Sequence, residues 1–303
     1  MADATRVGQD VSATTGEPGV IAPGATATDR AREVEVQLAM QRSHRTRKVR
    51  ELRTTILVML LRVAAVVAVV ALWEGLSRAG VANALFFSRP SLVLDMFFQN
   101  WRDFAEQTLY TLEAVLVGFT LSSLAGILLG MLLARFHTLA RVTQPFVVFV
   151  NSLPRIALVP LFILWFGITF QAKVATSFML VFFIVLLNTQ VGLATVDREL
   201  LLVTRLLGGS GRQIYLKVAL PAALPAIFGG LRLGVSYSIL GVVGSEMIAS
   251  RNGLGQLIAL YAENLQAAGV FAALILLGAL AAVVSGLLAL AEKRLSRWRD
   301  TSH

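Results

Sequence analysis

Few residues in this chain have the types and spacing that enzyme chemistry requires. Cysteine is absent, which removes thiolate catalysis, disulfides and Cys-ligated metals. His44, His137 and His303 stand far apart with no HExxH-type pairing, so no catalytic metal site is expected. The stretch 208–213 reads GGSGRQ. It lacks the GxxxxGK[ST] spacing by which a backbone cradle and its lysine hold phosphates. The expectation is therefore no catalytic residue, no cofactor and no metal in this chain.

What remains is a small set of polar and ionisable groups inside apolar stretches, where charge is costly and usually has a purpose. Arg232 and Glu246 fall on one apolar segment, about 21 Å apart at the helical rise. They cannot pair with each other, so each needs a partner on another helix. They either line or gate a pathway, or fix packing and topology. Asn188 either bonds between helices or faces such a pathway. Pro154 and Pro160 free backbone carbonyls in an apolar run, which demands protein or water around them. They shape a pathway or simply bend a helix. Glu113 and Arg62 lie near the ends of apolar runs and can reach an interface.

The elements that must carry these groups are transmembrane helices. The 303 residues are 56% hydrophobic and 15% charged, with a mean hydropathy of +0.72; a soluble domain needs more polar surface. A span needs about 20 apolar residues at about 1.5 Å each to cross about 30 Å of hydrocarbon. Such stretches run over about 55–76, 109–134, 145–166 (interrupted by Pro154 and Pro160), 174–196, 222–248 and 269–290. The expected fold is an all-α membrane protein of about six spans, filling a transmembrane domain over 55–292. Residues 1–54 read as a disordered and then basic cytoplasmic tail, and 293–303 as a cytoplasmic C-terminal tail. Gly126 with Gly130, and Gly230 with Gly234, form GxxxG pairs whose faces should meet another helix.

Charge orients these spans. Most of the 27 Lys and Arg fall in the N-terminal tail, near 135–141, in the loop 198–217 and at the C-terminus. The positive-inside rule puts all four regions, and both termini, in the cytoplasm. The net charge of +9 thus reflects topology; no nucleic-acid partner is expected. Between the first two spans, Phe86, Phe87, Phe97, Phe98 and Trp101 alternate with Arg89, Asp95 and Asp103. That pattern fits an interfacial helix or a loop with aromatic anchors.

The loop 198–221 reads RELLLVTRLLGGSGRQIYLKVALP. A short helix should stop at Leu207, where Gly208 offers a left-handed turn. Ser210 and Gln213 have capping-box spacing for a second short helix, and Pro221 suits the first turn of the next span. A helix, a glycine turn and a helix across the inner membrane surface suit docking to a cytoplasmic partner, or merely connect two spans.

This loop resembles the EAA loop of ABC importer permeases. Gly208 matches its glycine, and Val218, Leu220 and Pro221 match its terminal pattern, while Leu202, Val203 and Thr204 replace Glu-Ala-Ala. SLPRIALVPLFILWFGI (152–168), VDRELLLVTRLLGGS, ALPAALPAIFGGLRLG and VVGSEMIASRNGLGQLI resemble the nitrate/sulfonate/taurine branch; Arg155 is unusual there. The resemblance implies a type I importer permease of the bacterial inner membrane, forming a homodimer. It implies two cytoplasmic ATPase subunits and an extracytoplasmic substrate-binding protein as partners, with ATP hydrolysed outside this chain. It implies a small solute, such as a sulfonate, nitrate or taurine-like anion or a related metabolite. In the coupling loop it implies Gly208 for the turn, Ser210 for the cap, Arg212 and Gln213 as polar contacts and Tyr215 as an anchor, with Leu220 and Pro221 closing the motif. The alternative reading is an ion-coupled secondary transporter, which would bring internal repeats and more broken helices.

Overall fold

The computed structural model describes residues 57–80 and 87–295. The expectations for the tail 1–54, for His44 and Phe86 and for 296–303 lie outside the described residues. All elements among the described residues are helical, as lipid requires of a chain that must satisfy its own backbone. Helix α1 is Leu57–Arg78. It is followed by α2 Pro90–Gln99, α3 Trp101–Arg135, α4 His137–Ser152 and, after a single 3₁₀ turn, α5 Val159–Phe166. Next come α6 Phe170–Ala194, α7 Arg198–Leu206, α8 Gly211–Ile214, α9 Leu220–Ile248, α10 Leu254–Glu263 and α11 Ala267–Leu295. Among the described residues, five helices are long and apolar enough to cross a membrane, and a bent pair supplies a sixth candidate.

The chain divides into two compact units, the second beginning at Val70 within α1. The described part of the first, 57–69, is apolar apart from Arg62. The second unit is built on α6, which lies between α3 and α9. Small residues let these three helices approach. A Cβ on Gly126 or Gly130 would stand 2.9 Å from the α6 carbonyl oxygens of Phe182 and Leu186, and one on Gly230 would stand 2.6 Å from Asn188 Cβ. Both GxxxG faces therefore meet a neighbouring helix of the same chain. Buried Ser177 and Ser238 hydroxyls meet at 2.7 Å, and Ser238 donates to the Val115 carbonyl, tying α6, α9 and α3 together in mid-span.

Several elements depart from the sequence reading. The second span starts at Trp101 rather than near Leu109, because only Asn100 separates it from α2. The segment expected at the interface is the short helix α2, whose Val93 is buried while Leu92, Leu94 and Phe98 are exposed. Its first turn is capped from α1: Glu74 accepts from the Ser91 N–H and hydroxyl and pairs with Arg78. No loop separates Arg135 from Arg141; Phe136 alone interrupts the helix. The expected third span is not straight. Residues Thr138–Ser152 and Arg155–Phe166 meet at 85°. Pro145 sits inside α4 without breaking it. Leu153 is forced into an extended conformation by the following Pro154, whose ring crowds a helical predecessor. Pro160 sits in the first turn of α5, where its missing N–H is harmless. Helix α10 was not anticipated at all.

Candidate functional site

At one end of the bundle, Asp197 caps α7 by accepting from the Glu199 N–H. The helix closes with the Gly209 N–H donating to the Thr204 carbonyl and the Gly208 N–H to Arg205, the bond pattern of a Schellman stop. Gly208 is left-handed at φ +83°, a conformation that costs a side-chain-bearing residue about 1–2 kcal/mol. Ser210 then caps α8: its hydroxyl accepts from the Gln213 N–H, and the Gln213 side chain accepts from the Ser210 N–H. The expected glycine turn and capping box are both present.

The second arm differs from expectation. It is no separate short helix: α8 passes through a π-turn, Tyr215–Ala219, into α9, so Gly211–Ile248 is one helix of 38 residues. Pro221 lies within it rather than at its start, and Leu220 and Pro221 are half-buried along its flank. Tyr215 donates its hydroxyl to the Met131 carbonyl of α3 at 2.8 Å, a tie within this chain. Ile214 is buried, whereas Arg205, Arg212 and Gln213 are exposed. Gly208, Ser210, Arg212 and Gln213 come together at the tip. Beside them stand Leu206 and Leu207, 79% and 83% exposed, which the sequence reading passed over.

At the opposite end lies a buried ionic cluster. Glu246 of α9 is 1% exposed. Its carboxylate accepts from Lys173 Nζ of α6 at 3.0 Å, from the Thr111 hydroxyl of α3 and from the Gly255 N–H of α10. Lys173 spends its other protons on the carbonyl and side-chain oxygens of Asn252, at 2.7 and 3.0 Å. Gln107 and Thr111 accept from the Gly253 and Leu254 N–H groups. The turn after α9 is thus clamped onto three helices. Gly253, at φ +113°, is obligatory here, because a Cβ would fall 2.0 Å from the Glu246 carboxylate. A cavity of about 290 Å³ opens above Lys173, lined in part by Tyr110, Glu113, Thr169 and Arg251. A second, of about 490 Å³, lies toward the Gly208 end and includes Thr143, Gln144, Gln190 and Arg198.

The sequence-read pathway residues do not converge. Glu246 joins the cluster just described. Arg232 pairs with Glu292 of α11, so both charged residues find partners on other helices. Asn188 bonds back to the Ile184 carbonyl of its own helix while its Cβ packs on Gly230; among the described residues it makes no interhelical bond of the kind expected. Pro154 and Pro160 stand at the bend, where Arg155 donates to the Leu180 carbonyl. Lys173, Thr111 and Asn252 were missed. The spacing of an acid at the end of a span from the Gly253-x-Gly255 helix start was the only signal pointing to them.

The family model of the binding-protein-dependent transport system inner membrane component matches residues 126–297. The riboflavin transport system permease protein RibX of Chloroflexus aurantiacus is 32% identical over 75% of this chain and 85% of its own. The putative aliphatic sulfonates transport permease protein SsuC of Bacillus subtilis is 30% identical over 76% of this chain and 84% of its own. The formylaminopyrimidine transport permease protein ThiX of Halalkalibacterium halodurans is 31% identical over 62% and 76%. Among solved structures, the inward-facing MetNI methionine ABC transporter aligns at a TM-score of 0.51 and 22% identity. An amino acid ABC transporter aligns at 0.52 and 17%. Each of these alignments covers 67% of this chain and 97% of the other. The fold is that of type I importer permeases.

Proposed function

Because the chain belongs to the family of binding-protein-dependent transport system inner membrane components, and is an ABC importer permease, we propose that its Gly208 end is cytoplasmic and receives the stroke of a separate ATPase. In this reading two copies of the chain enclose the pathway. Two ATPase subunits sit beneath them, an extracytoplasmic binding protein docks at the Glu246 end, and both termini are cytoplasmic. The observation that carries the proposal is the unbroken helix Gly211–Ile248. It joins the capped turn directly to the Lys173–Glu246 cluster about 53 Å away along its axis. A rigid rod between two anchored ends is what a lever-like domain motion requires.

The solute is a small metabolite, and we propose a sulfonate, nitrate or taurine-like anion or a related compound delivered by the binding protein. The relatives are named for riboflavin, sulfonates and formylaminopyrimidine, so members of the family differ in solute. Reconstitution tests the proposal. Vesicles holding the permease, its ATPase and the binding protein should accumulate solute only with ATP, and dissipating ion gradients should leave uptake unchanged. Uptake that follows an ion gradient without ATP would return the chain to the secondary-transporter reading.

A further inference from the structure

The run 145–168 is apolar except at its bend. Its only amide, hydroxyl and charged side chains are Asn151, Ser152 and Arg155, gathered where the two arms meet at 85°. Arg155 is half-buried, and its Nη1 donates to the Leu180 carbonyl of α6 at 3.0 Å. That bond fixes its depth. Leu180 lies about 15 Å along α6 from Phe170 and about 21 Å from Ala194, near the middle of a hydrocarbon core about 30 Å thick. The guanidinium is thus tethered at mid-membrane, out of reach of either headgroup layer. A charge at that depth belongs against protein or a water-filled path and needs a counter-charge.

Among the described residues no carboxylate supplies it. The sequence has no Asp or Glu between Glu113 and Asp197. Glu113 stands two residues past Thr111, which bonds Glu246, so both acids lie at the level of Lys173. That level is about 10 Å along α6 from Leu180, and Lys173 already neutralises Glu246. Glu292 is held by Arg232. Arg232 lies about 13 Å along α9 from Gly241, the residue whose Cβ would meet the Leu180 side chain. A second copy of the chain brings another Arg155 at the same depth and no further described carboxylate. The counter-charge is then a mobile one. We propose that Arg155 is an anion-recognising residue of the translocation pathway. The Leu180 carbonyl holds the Nη1 side of its fork. The Nε–Nη2 edge is left for two parallel N–H···O bonds to a small oxyanion, a sulfonate, carboxylate or nitrate. This rests on the transport function proposed above and deepens it, by naming the group of the solute that the permease itself recognises.

The absence of native cysteine permits a direct test. Ser152→Cys, and separately Ile156→Cys, each place a single thiol at an exposed position beside Arg155. Permeabilised membrane vesicles holding the full assembly are treated with methanethiosulfonates of similar size that carry a sulfonate or a trimethylammonium group. Relative to a free thiol, the sulfonate reagent should react about tenfold faster than the cationic one. Methanesulfonate should slow it, and chloride at equal concentration should not. Arg155→Gln should abolish the preference. Arg155→Lys keeps the charge but not the fork; it should keep the preference and lose the methanesulfonate protection, a readout that stands even where Arg155→Gln fails to fold. Equal rates for both reagents with Arg155 present, or equal protection by chloride, would overturn the oxyanion site. Thiols at both positions that no reagent reaches would place the bend against lipid or a second copy and overturn it too. None of these readouts consumes ATP, so uptake driven by an ion gradient would remove the ATPase from the proposed function and leave the anion site standing.

Discussion

Lys173 and Glu246 illustrate how a membrane protein keeps charge in its interior. Each is nearly inaccessible, and neither has a polar atom to spare: lysine meets three acceptors and glutamate meets Lys173, Thr111 and Gly255. Removing one partner strands the other, at a cost of about 3–5 kcal/mol, whereas removing both is far cheaper. Lys173→Met should therefore lower thermal stability in detergent sharply, and adding Glu246→Met should restore much of it. Equal destabilisation by the single and double variants would show that the pair is not coupled. None of this pairing was legible in the sequence, because 73 residues separate the partners. Lys173 read as one more charge outside the span. The Ser210–Gln213 box was legible because its bonds are local, three residues apart. Ser210→Ala should cost about 1 kcal/mol, seen as faster amide hydrogen exchange at Gln213; unchanged exchange would count against the cap.

At the scale of elements, close helix approach and helix breaks decide the architecture. Gly230 faces Asn188 so closely that Gly230→Ala must push α9 from α6, at about 1–3 kcal/mol. Asn188→Gly in the same chain should recover part of that loss in a thermal unfolding assay, and no recovery would mean that the strain lies elsewhere. The GxxxG faces and the spans were readable from apolar runs and small-residue spacing. The break at Pro154 was readable too, because proline constrains its predecessor. Its 85° angle was not, since direction depends on what Arg155 and the α5 side chains pack against. Pro221 misled for a physical reason. Proline favours a first turn, but π-turn geometry at Tyr215–Ala219 carried the helix through. Helix α10 was hidden because its glycine-rich start serves Glu246 rather than marking a loop.

Over the whole molecule, the proposed function rests on a long helix with one end held by an ionic clamp and the other presented by a glycine turn. A change at the turn should alter what the rod transmits without altering how the spans insert. Gly208 is the place to make that change, because no neighbouring atom lies within 4 Å of a Cβ there. A substitution would perturb backbone geometry, not packing. Uptake per ATP hydrolysed in proteoliposomes bearing Gly208→Val, with binding protein and ATPase supplied, is the direct measurement. Coupling through this turn predicts normal membrane insertion and continued hydrolysis with solute accumulation falling by about tenfold or more. Accumulation per ATP equal to that of the unaltered chain would contradict it.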